Sequence, residues 1–294
     1  MPDLEVAAGS IIGRDHLGSG NVLLGRNNQD AYHVCADQQR AVAVICDGCG
    51  SQKHSEVGAN EAARFISERI YQLLATRQAV NTSISLPLTL GELRQEMLAD
   101  INQRVKRLSP NGGKTKTVND FYLFTVIGAV VDDDGCSIFA LGDGCYAING
   151  EFHQLGPFND NEPPYLAYGL TGTKSKPPNS RDWMFRVESY CPLDFFQHLL
   201  IGSDGVVKLE ASAEKKVPGL KQPVGPLSQF WENDKYFGNP DEIRRYLALI
   251  NRQYVTLGLP AREIIREPGL LPDDTTLVVI RKKPIKEQKY ECDN

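Results

Sequence analysis

No run in the 294-residue chain approaches the roughly 18 consecutive apolar residues of a membrane-spanning helix. The N-terminus, Met1-Pro2-Asp3-Leu4-Glu5, has neither the basic start nor the apolar stretch of a secretory leader, so a soluble, cytoplasmic protein without a membrane partner is expected. A basic block is missing as well. With 32 Lys and Arg against 37 Asp and Glu, the formal net charge is -5, and nothing is available to neutralise a nucleic-acid backbone. Arg281-Lys282-Lys283, the one concentrated cationic stretch, reads as a solvated tail. Cysteine is sparse: seven residues, an odd number, scattered and mostly inside apolar runs, which indicates a reduced compartment. Cys46 and Cys49 form a C-x-x-C pair, but without a second pair at zinc-ribbon spacing they read as small residues packed at a strand end. The glycine-rich stretch 109–120 lacks a Gly-Lys-Ser/Thr at P-loop spacing and is expected to be a plain loop. Asp132-Asp133-Asp134 lacks the twelfth-position acid of a calcium loop and reads as a solvated turn.

What is present is a pattern of acids at strand ends. Ala41 to Ile45 is a continuous apolar run that breaks at Cys46-Asp47-Gly48-Cys49-Gly50, where the backbone must turn. The design recurs at Leu141-Gly142-Asp143-Gly144, at Ile201-Gly202-Ser203-Asp204-Gly205, and at Asp273-Asp274 before the run Thr276 to Ile280. Ala31 to Cys35, a turn near Asp37, and the run from Arg40 to Ile45 form a hairpin that delivers Asp30 and Asp47 to one end of a sheet. Converged carboxylates repel one another unless a cation compensates them, and all-oxygen donors suit a hard divalent ion. The remaining pattern is that of an ordinary globular chain, 41% apolar and 23% charged. A strand is expected over residues 4–13, and amphipathic helices from Ser55 to about Thr76 and from Leu90 to Leu108. Strands follow around Phe121 to Val131 and Cys136 to Leu141, then a Pro/Asn-rich insertion at 156–182. A strand from Trp183 to Cys191 comes next, then a polar stretch 210–240 without clear pattern, and a helix opened by Pro240 that runs to Tyr254.

Together Asn28-Gln29-Asp30-Ala31, Asp47-Gly48-Cys49-Gly50-Ser51, Gly142-Asp143-Gly144, Ser203-Asp204-Gly205 and Asp273-Asp274-Thr275-Thr276, in this order, resemble the metal-dependent PP2C serine/threonine phosphatases. The nearest likeness is to a bacterial-type branch whose first motif reads Gln-Asp-Ala. Each Asp-Gly alone is a common turn; the ordered set is not. The resemblance implies an α+β fold, an antiparallel β-sandwich of two sheets flanked by helix pairs in four layers. It would occupy 1–284 as one domain, with a flap-like insertion near 156–182 and a polar tail over 285–294. It implies a phosphoric monoester hydrolase of bacterial signalling, acting by metal-activated water on phosphoserine and phosphothreonine in substrates of a cognate kinase. Two Mg²⁺ or Mn²⁺ ions would sit on Asp47, the Gly48 carbonyl, Asp204 and Asp273, with Asp30 holding the attacking water and Asp143 a third ion. Asp273 is preferred to Asp274 because the family pattern places the ligand first. Three positions depart from the family. Where its phosphate-binding arginine stands this chain has Gly25, leaving Arg26 as the candidate and Arg14 as a competitor. His54 lies two residues beyond the usual histidine position, which is Gln52. The acid expected four residues after Asp204 is Lys208, which either pairs with Asp143 or points to solvent. The alternative implied by these departures is a catalytically weak module that binds phosphoproteins.

Overall fold

The structure, a computed structural model, describes residues 3–17, 25–80, 86–109, 111–158, 162–174, 176–178, 180–258 and 263–283. The expected polar tail over 285–294 lies outside them. Among the described residues ten strands form two antiparallel sheets. In the first, β2 (Asp30–Ala36), β3 (Ala41–Gly48), β4 (Phe124–Val131), β5 (Gly135–Leu141) and β8 (Arg186–Pro192) lie side by side in that order. In the second the order is β1 (Leu4–Ile11), β12 (Thr275–Lys282), β9 (His198–Gly202), β6 (Gly144–Ile148) and β7 (Glu151–Leu155).

Continuous apolar runs become central strands because both faces are covered. β4 is buried at all eight positions, and β12 at seven of eight. Ile45, Ile127, Ile138, Leu199, Ile201 and Ile280 interdigitate between the sheets. The outer face of the β2–β8 sheet is covered by α2 (Ser55–Val80) and α3 (Leu86–Leu108), through residues such as Ile66, Ile70, Leu93 and Ile101. The outer face of the other sheet is covered by α6 (Asp204–Glu210), α7 (Gln229–Glu232), α8 (Lys235–Gly238) and α9 (Glu242–Asn251). The four layers are those expected for the fold class.

Local differences have physical causes. The stretch read as a plain loop contains α4 (Lys114–Tyr122), since Gly112 and Gly113 at φ 106° and 89° turn the chain and Val118 and Tyr122 then fall on one buried face. The insertion at 156–182 is anchored at its middle: Tyr165 to Tyr168 are buried on the α2/α3 side, with α5 (Tyr168–Thr171) and the buried Trp183 behind them. In the stretch without clear pattern, Val217, Val224, Leu227, Phe230 and Tyr236 are buried apolar anchors. A short ribbon of β10 (Tyr254–Gly258) and β11 (Glu263–Glu267), paired with neither sheet, was not expected. The remaining helix, α1 (Arg14–Leu17), is a single turn, yet it carries a residue of the site.

Candidate active site

The six acids of the five motifs meet at one end of the sandwich. Antiparallel register places Asp30 directly opposite Asp47, and Thr125 on the other side of Asp47. Asp143 sits in the turn between β5 and β6, where Gly142 and Gly144 adopt φ 109° and 132°. Asp204 opens α6 just beyond β9, and Asp273 and Asp274 precede β12. At Gly48 a Cβ would lie 2.7 Å from the Gln29 carbonyl oxygen and 2.8 Å from Ser55 Oγ, so the turn after Asp47 requires glycine. Its N–H donates to that same Gln29 carbonyl.

The electrostatics are those of crowded anions. Burial first, then Asp30, Asp204, Asp143 and Asp273, drives the Asp47 carboxyl well above the usual range. Burial, followed by the charge of Asp274, pushes Asp30 up to about 8. Asp204 rises to about 6 through burial and the nearby Asp273 and Asp143, and it hydrogen-bonds Asp47. Asp143 is raised by burial, although the Thr125 hydroxyl opposes this. Asp30 Oδ2 accepts from Ser203 Oγ at 2.7 Å, while its Oδ1 is buried without a partner. An orphaned carboxylate oxygen facing other acids fits a cation or a water-bearing cation, and the donor set is the all-oxygen one that hard divalent ions take.

Asp274 has a different task. Its Oδ1 accepts from the Gly13 N–H at 2.7 Å and from His16 Nδ1 at 2.9 Å, and its Oδ2 accepts from the Gln29 N–H at 2.6 Å. It ties three distant segments together, and the hydrogen bond raises the pKa of His16. His16, Asp273 and Asp274 offer ligand atoms within 4.8 Å of one another and could hold one metal ion. Both oxygens of Asp274 and one nitrogen of His16 are, however, already used. Ser203 Oγ also accepts from the Thr276 N–H, so this hydroxyl is fixed on both sides and buried.

The arginine candidates separate. Arg14 donates to Asp15 and to the Gly269 carbonyl, and among the described residues no ion pair joins it to a motif acid. Arg26 donates Nη1 to the Gly50 carbonyl at 2.7 Å, beside the Asp47 turn, and lines a depression with Gln29, Gln52, His54 and Glu56. His54 stacks on Phe121 at 5.0 Å and is half-exposed at the start of α2. Lys208 is exposed and forms no ion pair with Asp143 among the described residues; it acts on Asp204 through its charge alone. His16 and Tyr165 lie outside the motifs, and Ser203, although within one, had no role assigned to it. The buried Tyr165 hydroxyl reaches Cys49 from the insertion and senses Asp143 and Asp47.

The chain is thus an α+β sandwich of two antiparallel sheets flanked by helices, with carboxylates gathered at one end. The family model for protein phosphatase 2C matches residues 12–245, and the chain belongs to that family. No curated protein matches the sequence. Among solved structures, a bacterial serine phosphatase carrying an arginine-to-lysine substitution superposes with a TM-score of 0.51 at 16% identity, over 96% of this chain and 99% of that one. The serine/threonine phosphatase Stp1 from Staphylococcus aureus matches with a TM-score of 0.46 at 16% identity, over 96% of each chain. At 16% identity the first of these superpositions speaks for the fold alone.

Proposed function

We propose that the chain is a protein serine/threonine phosphatase that hydrolyses phosphoserine and phosphothreonine with two bound Mg²⁺ or Mn²⁺ ions. The observation that carries this reading is the convergence of Asp30, Asp47, Asp143 and Asp204 with raised pKa values and without an Arg or Lys ion pair among the described residues. Asp47, the Gly48 carbonyl, Asp204 and Asp273 would hold the ions. When bound, such ions supply the charge that neutralises a phosphoryl group in transfer and that acidifies water. Asp30 fixes the attacking water through its free Oδ1, with Ser203 holding the other oxygen in place. Arg26, steadied by the Gly50 carbonyl, keeps its remaining N–H groups for phosphate oxygens. Gln29 clamps the turn by donating to Ser55 Oγ at 2.6 Å.

The test is hydrolysis of a chromogenic phosphate ester and of a phosphothreonine peptide by purified protein. Turnover should require added Mn²⁺ or Mg²⁺, stop with chelator, and survive thiol alkylation. Phosphopeptide binding without turnover at millimolar Mn²⁺ would instead establish the weak binding module suggested by Gly25 and Lys208. Loss of turnover on alkylation, with the fold intact, would point to a cysteine nucleophile.

A further inference from the structure

Two cysteines that the site does not use face each other across a strand pair. Cys136, the second residue of β5, is the direct register partner of Cys191 on β8. Opposed residues of an antiparallel pair have Cα atoms about 4.5 to 5.5 Å apart, inside the range of about 4.4 to 6.8 Å that a disulfide spans. Their side chains share one face of the sheet, because directly opposed residues do. Cys136 is fully buried between the sheets, and Cys191 packs against the same cluster from a partly exposed position. Both are free thiols.

The surroundings allow the strands to close further. β8 is the outermost strand of its sheet, so no neighbour beyond it resists movement towards β5. Residue 135 is glycine, and a Cβ there would lie 2.4 Å from the Cys191 carbonyl oxygen; the missing side chain is what lets the two backbones approach. Cys191 Sγ rests 3.6 Å from the Pro192 carbonyl oxygen and 4.0 Å from Asn149 Nδ2, contacts too long and weak to hold it against a new bond.

We propose that Cys136 and Cys191 form an oxidation site, joining as a reversible cross-strand disulfide when a peroxide reaches the protein. The partly exposed Cys191 sulfur attacks hydrogen peroxide; the O–O bond breaks, a sulfenic acid forms and water leaves. Cys136 sulfur then attacks the sulfenic sulfur, the S–S bond forms, the S–O bond breaks and a second water carries off the thiol proton. Two thiols are oxidised by two electrons and one peroxide is reduced to two waters. The order follows access, since burial pushes the Cys136 thiol up and keeps it a thiol until its partner is activated. The bond would staple β5, which leads to Asp143, to the edge strand on which the 156–182 insertion is rooted through Trp183.

The inference is independent of the phosphatase reading, and its test needs no turnover. The full chain is treated with hydrogen peroxide and digested without reductant, and the linked peptides are identified by mass spectrometry. The expected result is a link between the Cys136 and Cys191 peptides that dithiothreitol reverses, together with slower amide exchange over 186–192 in the oxidised protein. Cys191→Ser, at a partly exposed position, should abolish the link while leaving amide exchange in the core strands unchanged. Oxidation of Cys191 to sulfinic acid without a link, or its linkage to any other cysteine, would overturn the proposal. So would a link that persists in Cys191→Ser by joining Cys136 elsewhere.

Discussion

β12 carries charge at both ends, and the protein treats the two ends in opposite ways. At the C-terminal end Arg281 is buried, but its guanidinium donates to Glu5 at 2.8 and 3.0 Å, to Asp234 at 2.5 Å and to the Trp231 carbonyl at 2.9 Å. It also lies 3.8 Å from the centre of the Phe237 ring. All three nitrogens donate, through four of the five N–H groups, and the charge is answered by charges of this chain. At the N-terminal end Asp274 is likewise satisfied by three N–H donors, yet around it Asp30, Asp47 and Asp204 crowd with one oxygen of Asp30 unpartnered. Burying a charge without a partner is far costlier than burying a paired one. The sandwich therefore tolerates at one end what it avoids at the other, and the cations of the proposed function would reconcile the two.

The largest effect should come from Asp47→Asn, which would remove the charge at the centre of the cluster while keeping its shape. Activity at saturating Mn²⁺ should fall by roughly a thousandfold or more, because several kcal/mol of charge stabilisation disappear. With chelator present the melting temperature should rise instead of falling, since one member of a repelling set is gone. A variant retaining near-normal turnover would break the contrast between the two ends of β12.

Arg281→Met addresses the other end. Truncating one partner of a buried ion pair costs about 3 to 5 kcal/mol, and the exposure of Asp234 and partial exposure of Glu5 reduce this to about 1 to 3 kcal/mol. The loss should appear in urea unfolding both with and without metal. Metal dependence of that loss would show that the two ends are coupled and not separate solutions.

The acids also set a pH dependence. Folded-state values of about 8 for Asp30 and about 6 for Asp204 lie above the ordinary 3.8, so the folded chain holds protons that the unfolded chain has released. In chelator, stability should fall as pH rises from about 4 to about 8. His16 acts in the same direction, because a raised folded value gives a contribution complete below the ordinary 6.5 and lost as pH passes the folded one. Urea midpoints across this window measure the slope. A flat profile would mean that the carboxylates are compensated within the chain after all.

How much of this the sequence contained depended on distance along the chain. Asp30, Asp47, Asp143 and Asp204 stand where apolar runs break at turns, so local pattern located them, and the short hairpin placed the first two together. His16 gave no such signal. It lies in a polar connection, and its role comes from Asp274, 258 residues away. Ser203 was visible only as part of a motif, since its link to Asp30 spans 173 residues. α4 gives only a weak signal because the glycines before it dominate the local pattern, although Val118 and Tyr122 form an apolar i, i+4 pair on its buried face. The buried middle of the insertion was hidden for the same kind of reason: Tyr165 to Tyr168 are anchored by helices that the sequence places far earlier.

The smallest effect concerns Lys208, in the last turn of α6. An ammonium has no lone pair for a metal and repels a divalent ion. Here it is exposed, so solvent screens it, and its influence on Asp204 is that of a charge at a distance. If the two ions of the proposed site sit on Asp47, Asp204 and Asp273, a third on Asp143 should be absent or weak in the unaltered protein. Lys208→Asp should tighten binding there by about two- to fivefold, the scale of an exposed charge interaction of about 0.4 to 1 kcal/mol. Titration of Mn²⁺ followed by paramagnetic relaxation can resolve a third, weaker site. Lys208→Gln separates removal of repulsion from addition of a ligand. An equal gain in both variants would show that the ammonium acts only through its charge, whereas a gain confined to the aspartate would place residue 208 within reach of the ion. A third ion bound to the unaltered protein as firmly as the first two would show that Lys208 has no influence on the acid end of the sandwich.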